Sequence, residues 1–181
     1  MESRWHYERT PDNKARFILG EPGNKTLVCI GVNPSTAEPE KLDNTLTTVR
    51  RYAYSLGYDS WMMLNLYPQR ATNPNDMHMD MNQLYHSSNL AAIEKLFKER
   101  ECDIWAAWGT LIKKREYLTK CLLDIHALSV NSKVQWYTIG KRSIQGHPHH
   151  PLYLKKDLTM DIFDLEEYIE RLMRNGYTSL L

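Results

Sequence analysis

The sequence lacks any apolar run near the roughly 18 residues that a membrane-spanning helix needs, and we expect no membrane span. Cysteine is scarce, with three residues in 181 and no Cys-X-X-Cys pair. This scarcity argues against a disulfide framework and a zinc ribbon, and it favours a protein of the reducing cytoplasm. We expect Cys29, Cys102 and Cys121 to be buried thiols, since each stands in an apolar stretch.

Several signature motifs are also missing. The chain has no Walker loop, no Gly-X-Ser-X-Gly elbow and no Gly-X-Gly-X-X-Gly fingerprint. These absences argue against an NTPase, an esterase and a dinucleotide-dependent enzyme. His147, His149 and His150 form a cluster, but no cysteine or nearby acidic residue completes a ligand set, so we expect neither a metal nor a cofactor.

What is present suits one globular domain. Hydrophobic residues make up 42% of the chain, which is enough to form a core, and no internal repeat or low-complexity segment interrupts it. We therefore expect a single domain over residues 1–181. Within it, residues 1–25 form a polar lead-in and residues 157–181 carry a C-terminal helix.

The distribution of apolar residues predicts an α/β fold. Four segments, at 26–30, 60–64, 103–108 and 134–139, are almost continuously apolar, as is typical of parallel strands covered on both faces. Helical periodicity alternates with these strands, which predicts an α/β sandwich around a parallel sheet. The predicted helices are at 46–56, 89–100, 110–128 and 162–172.

The second predicted helix has Ser87 or Ser88 as its candidate N-cap. Before it, residues 67–86 are rich in Pro, Asn, Asp and Met, and we expect them to form a long loop. A loop of that length in a compact domain is often functional.

Distinctive residues follow each predicted strand. Ligands of open α/β sheets bind beyond the carboxyl ends of the strands, so these loops predict a ligand site. Any one of them alone fits ordinary turn chemistry. The four loops are Gly31-Val32-Asn33-Pro34-Ser35-Thr36, Asn65-Leu66-Tyr67-Pro68-Gln69-Arg70, Trp108-Gly109, and residues 140–153 with His147-Pro148 and His150-Pro151.

The order of these motifs resembles the uracil-DNA glycosylase superfamily. The chain more closely resembles the family catalogued as domain of unknown function 1643, over roughly residues 15–155. That resemblance rests on Gly-Val-Asn-Pro-Ser-Thr-Ala at 31–37, Asp43-Asn44-Thr45, Asn65-Leu66, Arg70-Ala71-Thr72, Ala106-Ala107-Trp108-Gly109 and His150-Pro151-Leu152-Tyr153.

The resemblance implies a three-layer α/β/α fold around a central four-stranded parallel sheet, with a pocket for a base flipped out of DNA. By the same resemblance, Asn33 positions the attacking water and Asn65 binds the base edge. His150 then stabilises negative charge on the leaving base. The rest of the implied substrate-binding set is Gly31, Pro34, Ser35, Tyr67, Trp108 and His147.

These residue types suit the implied chemistry. Breaking an N-glycosidic bond develops negative charge on the base, so a hydrogen-bond donor beside a base oxygen favours the transition state. We therefore expect a monofunctional DNA glycosylase that releases a damaged or modified pyrimidine, hydroxymethyl- and glucosyl-pyrimidines included, and leaves an abasic site. Such an enzyme serves either DNA repair or defence against modified foreign DNA.

Departures from the glycosylase pattern leave three choices open. No aromatic residue lies between the first motif and Asp43, so the stacking face for the base falls to Tyr67 or Trp108. Two His-Pro pairs compete, and we favour His150 over His147 because Leu-Tyr follows it. Asp43 is the nearest acidic residue to the first motif, and it serves either catalysis or helix capping.

The formal net charge of +1 conceals an uneven distribution. Residues 104–156 hold nine Lys or Arg against two acidic residues, whereas residues 157–181 hold two against six. The basic segment suits DNA phosphates, so DNA is the expected partner, and no obligate protein partner is indicated. The candidate DNA-binding residues are Arg70, Lys113, Lys114, Lys141 and Arg142.

Two alternative functions remain open from the sequence. A non-catalytic module on the same fold would bind DNA or a nucleotide without turnover. A hydrolase of free modified nucleosides or nucleotides would depend little on salt, whereas binding to DNA weakens steeply as salt rises.

Overall fold

The computed structural model describes residues 4–175. Its strands are β1 (His6–Arg9), β2 (Arg16–Glu21), β3 (Thr26–Gly31), β4 (Ser60–Asn65), β5 (Cys102–Ala106), β6 (Val134–Ile139) and β7 (Met160–Ile162). Its α-helices are α1 (Asn44–Ser55), α2 (Gln83–Glu99), α3 (Tyr117–Val130) and α4 (Leu165–Arg174).

The strands of the described residues form one mixed sheet in the order β1-β2-β4-β3-β5-β6-β7. The four inner strands β4, β3, β5 and β6 run parallel, while β2 and β7 pair antiparallel on either side and β1 lies outside β2. The predicted α/β class is confirmed. The prediction of a four-stranded parallel sheet is incomplete, because three further strands, each paired antiparallel with a neighbour, extend the sheet.

The three additional strands escaped the sequence pattern for physical reasons. β1 is short and half exposed, and β2 begins with a charged residue, Arg16, so neither is a continuous apolar run. Residues 6–21 therefore belong largely to the sheet rather than to a polar lead-in. Strand β7 has three residues, and it contains Ile162, which the periodicity assigns to the last helix.

Helices cover both faces of the sheet. Successive strand side chains point to opposite faces, and in β3 Leu27 and Cys29 belong to one apolar core while Val28 and Ile30 belong to the other. Helix α1 packs into the first core, and α2, α3 and α4 pack into the second. The strands β3 and β4 are buried throughout, as their apolar composition predicts.

Two helix boundaries differ from the prediction. Helix α2 begins at Gln83, because Asn82 caps it by accepting the N–H of Tyr85 at 3.1 Å, and the predicted caps Ser87 and Ser88 lie inside the helix. The loop before α2 is shorter than predicted and contains a 3-10 turn at Pro74–Asp76.

The predicted helix at 110–128 divides into a 3-10 turn at Gly109–Lys114 and then α3. Helix α4 begins one residue after Asp164, whose side chain accepts the N–H of Glu167 at 2.9 Å. Within residues 4–175, no helix combines the length and the apolar character needed to cross a membrane.

The cysteines are buried and unpaired, as the sequence predicts. Burial raises the pKa of the Cys102 thiol and of the Cys121 thiol to about 12. Both thiols are therefore protonated at neutral pH and serve packing rather than chemistry.

Candidate functional site

Two adjoining cavities lie at the carboxyl ends of the parallel strands. The asparagine cavity has a volume of about 330 Å³ and is lined by Asn33, Asn65, Arg16 and Asp43, together with neighbouring loop residues. The histidine cavity, of about 530 Å³, is lined mainly by the loop that follows β6. The residues that line both cavities, and so join them into one groove, are Thr72, Leu111, His150 and Leu152.

Asn33 has its side chain oriented by the backbone around it. The Nδ2 group donates to the carbonyl oxygens of Ala71 at 2.8 Å, Pro34 at 3.1 Å and Gln69 at 3.4 Å. Because the amide is planar and its nitrogen is engaged, Oδ1 is fixed in direction and stays available as an acceptor. Asn33 can therefore hold a water molecule in the asparagine cavity.

Asn65 ends β4 and is 1% exposed. Neither its Nδ2 nor its Oδ1 finds a hydrogen-bond partner within residues 4–175. Each unpaired buried polar group costs about 1–3 kcal/mol, so this amide is held at the expense of stability. Gly31 leaves room for it, because a Cβ there would lie 3.1 Å from Asn65 Oδ1 and 2.8 Å from Met63 Cε.

His150 is held in one tautomer by the turn that follows it. Its Nδ1 accepts the N–H of Leu152 at 3.2 Å, so the proton of the neutral ring resides on Nε2. Burial lowers the pKa of His150, and the charge of His149 lowers it further, while Asp43 acts in the opposite direction. At neutral pH the ring is therefore uncharged and offers an Nε2–H donor.

His147 has a different environment. It is 2% exposed, and its Nδ1 lies 2.8 Å from the hydroxyl of Tyr168, which also accepts from Trp108 Nε1 at 3.0 Å. Burial lowers the pKa of His147, and its Nε2 meets no partner among the described residues. Of the two competing histidines, His150 lines both cavities and His147 lines the histidine cavity alone.

Asp43 caps a helix, which is one of the two roles that the sequence leaves open, and its catalytic role stays a prediction. It caps α1, with Oδ1 accepting the N–H of Leu46 at 2.8 Å, and it also lines the asparagine cavity. Its charge reaches both Arg16 and His150, since it raises the pKa of each. One carboxylate oxygen is thus committed to the helix, and the charge acts on the cavity.

Arg16 is a cavity residue that the sequence reasoning missed. It is 1% exposed and lies at the start of β2, beside the carboxyl end of β4. Burial and the charge of Arg70 lower its pKa to about 10, so it is still a cation at neutral pH. The sequence signal that could have identified Arg16 is an arginine placed directly before an apolar segment, in the sequence Arg-Phe-Ile-Leu-Gly-Glu at 16–21.

The family model for DUF1643, described as a protein of unknown function, matches residues 16–152. The chain belongs to the DUF1643 family. The matched span begins at Arg16 and ends at Leu152, and every residue that lines the asparagine cavity falls within it. No curated protein and no solved structure matches this DUF1643 protein.

The two candidates for the stacking face, Tyr67 and Trp108, are both buried in the DUF1643 protein. Tyr67 is fully buried, its hydroxyl contacts His78 Nδ1 at 2.7 Å and accepts the N–H of Asn82 at 3.0 Å, and it lines neither cavity. Trp108 is also fully buried, with its Nε1 donating to Tyr168. Tyr67 therefore packs away from both cavities, whereas Trp108 borders the histidine cavity from within the core. Stacking of either ring on a base stays a prediction.

Arg70 supports the first loop instead of facing solvent. Its Nη1 donates to the carbonyl oxygens of Ser35 at 2.6 Å and Ala37 at 3.2 Å, and its Nη2 donates to the hydroxyl of Tyr7 at 2.8 Å. With these donors engaged, Arg70 fixes the loop that carries Asn33. Its side chain is 12% exposed, and its predicted contact with DNA phosphate stays a prediction.

Of the four remaining basic candidates, Lys141 lines a cavity and the other three do not. Lys141 is exposed and lines the histidine cavity, and Arg142 beside it is exposed with its guanidinium 5.6 Å from the ring of Phe163. Lys113 Nζ bonds Gln145 Oε1, and Lys114 is partly exposed. Gly31, Pro34 and Ser35 all line the asparagine cavity.

Metal binding finds no support at this groove. Among residues 4–175, no group of three or more His, Cys, Asp or Glu side chains is arranged to hold a metal ion. The amides, imidazoles and charged groups of the groove can orient water, hydrogen bond a ring edge and donate to a developing anion.

Proposed function

We propose that this DUF1643 protein is a DNA glycosylase that hydrolyses the N-glycosidic bond of a damaged or modified pyrimidine and leaves an abasic site. We also propose that its inner parallel strands and edge loops are those of the uracil-DNA glycosylase superfamily. The observation that carries the proposal is Asn65. A buried amide with both polar atoms unpaired, at the bottom of a groove, suits a ring that offers an acceptor and a donor side by side.

The other groove residues support the same reaction. As the bond breaks, the sugar gains positive charge and the base gains negative charge. A neutral His150 with its proton on Nε2 can donate to the base oxygen where that charge collects. Asn33 Oδ1 can hold the water that attacks the sugar, since three backbone carbonyls fix the direction of the amide.

DNA is the proposed substrate rather than a free nucleoside. Extruding a base from a duplex costs a few kcal/mol, which contacts to the flanking phosphates must supply. Lys141 at the histidine cavity and the exposed Arg142 beside it are suited to those contacts. The enzyme would then serve repair, or defence against DNA that carries modified bases.

The test is an abasic-site assay on a panel of duplexes that contain uracil, hydroxymethyl-pyrimidines or glucosylated pyrimidines. After incubation, alkali cleaves the strand at any abasic site. We expect cleavage with the wild type and a loss of about 100-fold or more in rate with Asn33→Ala and with His150→Gln. The matched control is His126→Gln, a partly exposed histidine on α3 that lines neither cavity.

The same panel separates the alternatives. Tight binding of DNA without cleavage of any member would support a non-catalytic module. Hydrolysis of free nucleosides with intact duplexes would support a nucleoside hydrolase. Either result would contradict the proposal.

A further inference from the structure

Arg16 is a buried cation with unused hydrogen-bonding capacity. Within residues 4–175 its guanidinium makes one hydrogen bond, from Nη1 to the carbonyl oxygen of Ala37 at 3.0 Å. Its Nε is buried and meets no acceptor. Burying an ionised group is expensive unless its donors are satisfied, so this arrangement calls for an acceptor that the described residues do not supply.

The nearby carboxylate does not satisfy Arg16. The charge of Asp43 acts on Arg16, but no ion pair within 4 Å joins the two side chains in the part of the chain that the structure describes. Asp43 commits one oxygen to the N–H of Leu46 instead. The neighbouring Arg70 has its own carboxylate, Glu38, at 4.0 Å. The charge of Asp43 therefore acts on Arg16 through space, but no carboxylate of the described residues contacts Arg16.

The position of Arg16 places it across the groove from His150. Strand β2 pairs antiparallel with β4, and the N–H of Arg16 donates to the carbonyl oxygen of Pro68 just beyond the end of β4. His150 belongs to the loop after β6, on the other side of β3 and β5 in the sheet. Both side chains line the asparagine cavity, so a ring held there has one donor from each side.

We propose that Arg16 is a substrate-binding residue whose guanidinium donates to an oxygen atom that carries negative charge. Resting on the proposed function, we take that oxygen to be a carbonyl oxygen of the departing base. In the balanced reaction, the electron pair of the glycosidic bond moves to the base, water adds to the sugar, and the proton that water loses neutralises the released base. Arg16 keeps its own proton throughout and acts by hydrogen bonding and charge.

The first experiment compares Arg16→Gln and Arg16→Lys on two duplexes that differ at the scissile base. One carries the base identified by the abasic-site panel, and the other carries 5-fluorouracil in its place, whose anion is a better leaving group. We expect Arg16→Gln to lose about 100-fold in kcat on the parent base and less on the fluorinated base. Arg16→Lys keeps the charge but not the fork of donors, and it should retain part of the rate.

The informative quantity is the ratio of the two rates for each protein sample. Partial misfolding of a variant lowers both rates equally and leaves this ratio unchanged. The ratio rises in Arg16→Gln if Arg16 stabilises the leaving anion. The control is Arg51→Gln, an exposed arginine on α1, which should keep the wild-type ratio. An unchanged ratio in Arg16→Gln, with a wild type that releases base, overturns the inference and leaves the proposed function intact.

The second experiment measures binding without turnover, by NMR titration with free 5-fluorouracil and separately with inorganic phosphate. We expect the free base to bind the wild type at least 10-fold more tightly than Arg16→Gln at a pH where the base is ionised. Phosphate binding that depends on Arg16, without such dependence for the base, would assign the site to a phosphate and overturn the inference. If no duplex is cleaved but the free base still requires Arg16, the proposed function fails and the binding site stands.

Discussion

The two ends of β2 carry opposite charges in contrasting surroundings. Glu21, at the amino edge of the parallel strands, accepts from Trp61 Nε1 at 2.7 Å and the Tyr54 hydroxyl at 2.8 Å, and it pairs with Arg50 at 2.8 Å. Arg16, at the carboxyl edge, makes one side-chain hydrogen bond. One strand thus holds a buried charge that the protein satisfies and a buried charge that it does not.

The amide nitrogens of two buried asparagines show the same contrast. Asn89 Nδ2 donates to the backbone oxygen of Asn65 at 2.9 Å, and so joins α2 to the end of β4, although Asn89 Oδ1 is buried without a partner among the described residues. The side chain of Asn65 finds no partner in the described residues. Polar groups that meet their partners maintain the fold, whereas those that line the groove unpaired lower stability and are suited to a ligand. The contrast is therefore between groups that join elements of the fold and groups that line the proposed site.

The largest effect expected from this contrast is on base release. Asn65→Leu should lower the rate by about 100-fold or more, because the base edge loses its partner, while the free energy of unfolding stays the same or rises. Asn89→Leu should instead lower the free energy of unfolding by about 1–3 kcal/mol, because the backbone oxygen of Asn65 loses its donor. Urea denaturation and the abasic-site assay measure the two quantities. A loss of stability in Asn65→Leu that matches Asn89→Leu would contradict the account.

The two charges of β2 should also differ in their effect on stability. Glu21→Ala leaves the buried Nε1 of Trp61 without an acceptor and should lower the free energy of unfolding by about 2–3 kcal/mol. Arg16→Met removes a poorly satisfied charge and keeps much of the volume, so we expect a change within about 1 kcal/mol. Thermal and urea unfolding of both variants give the comparison. Equal destabilisation would show that Arg16 is as structural as Glu21.

Acid should selectively remove the contribution of Glu21. Burial alone would raise the pKa of Glu21, but the hydrogen bonds from Trp61 and Tyr54 and the charge of Arg50 outweigh it and hold that pKa below its ordinary value. The ionised carboxylate therefore stabilises the fold above the unfolded-state pKa of about 4.3, and this stabilisation is lost as pH falls through the lower folded-state pKa. The stability difference between wild type and Glu21→Gln should shrink as pH falls below about 4. A difference that does not change with pH would contradict the ionic account.

The smallest expected effect is on the titration of His150. Its pKa lies below the ordinary histidine value because of burial and the charge of His149, and Asp43 opposes that shift. Asp43→Asn should therefore lower the pKa of His150 further. An NMR titration of the histidine rings measures this, with His126 as the internal control. A rise in the pKa of His150 in Asp43→Asn would show that the carboxylate does not act on the ring.

The sequence predicts the parallel strands because their signal is local. An almost unbroken apolar run such as the one that forms β3 is enough to mark a strand buried on both faces. The same argument places Asn33, Asn65 and His150 at one edge, because each follows a strand of the same direction. The outer strands are less predictable, since β1 is half exposed and β7 has three residues.

The rest of the site depends on contacts between distant segments, which a sequence pattern does not contain. Arginine is a residue type that commonly binds phosphate, and for that reason the sequence suggests Arg70 as a DNA contact. In the fold, the first loop brings two backbone oxygens to Arg70 instead. Tyr67 and Trp108 follow strands as a stacking ring would, but their side chains turn into the core. The choice between His147 and His150 also needs the fold, because α4 brings Tyr168 against His147.

The most direct test of the central claim, that the unpaired groups of the groove bind and release a base, is mass-spectrometric detection of the free base. Wild-type protein is incubated with modified duplexes, and the free base and the abasic sites are counted in the same sample. The account predicts equal amounts of the two for at least one modified pyrimidine, and neither product with Asn33→Ala. Intact DNA and no free base with the wild type, across a panel of damaged and modified pyrimidines, would contradict it.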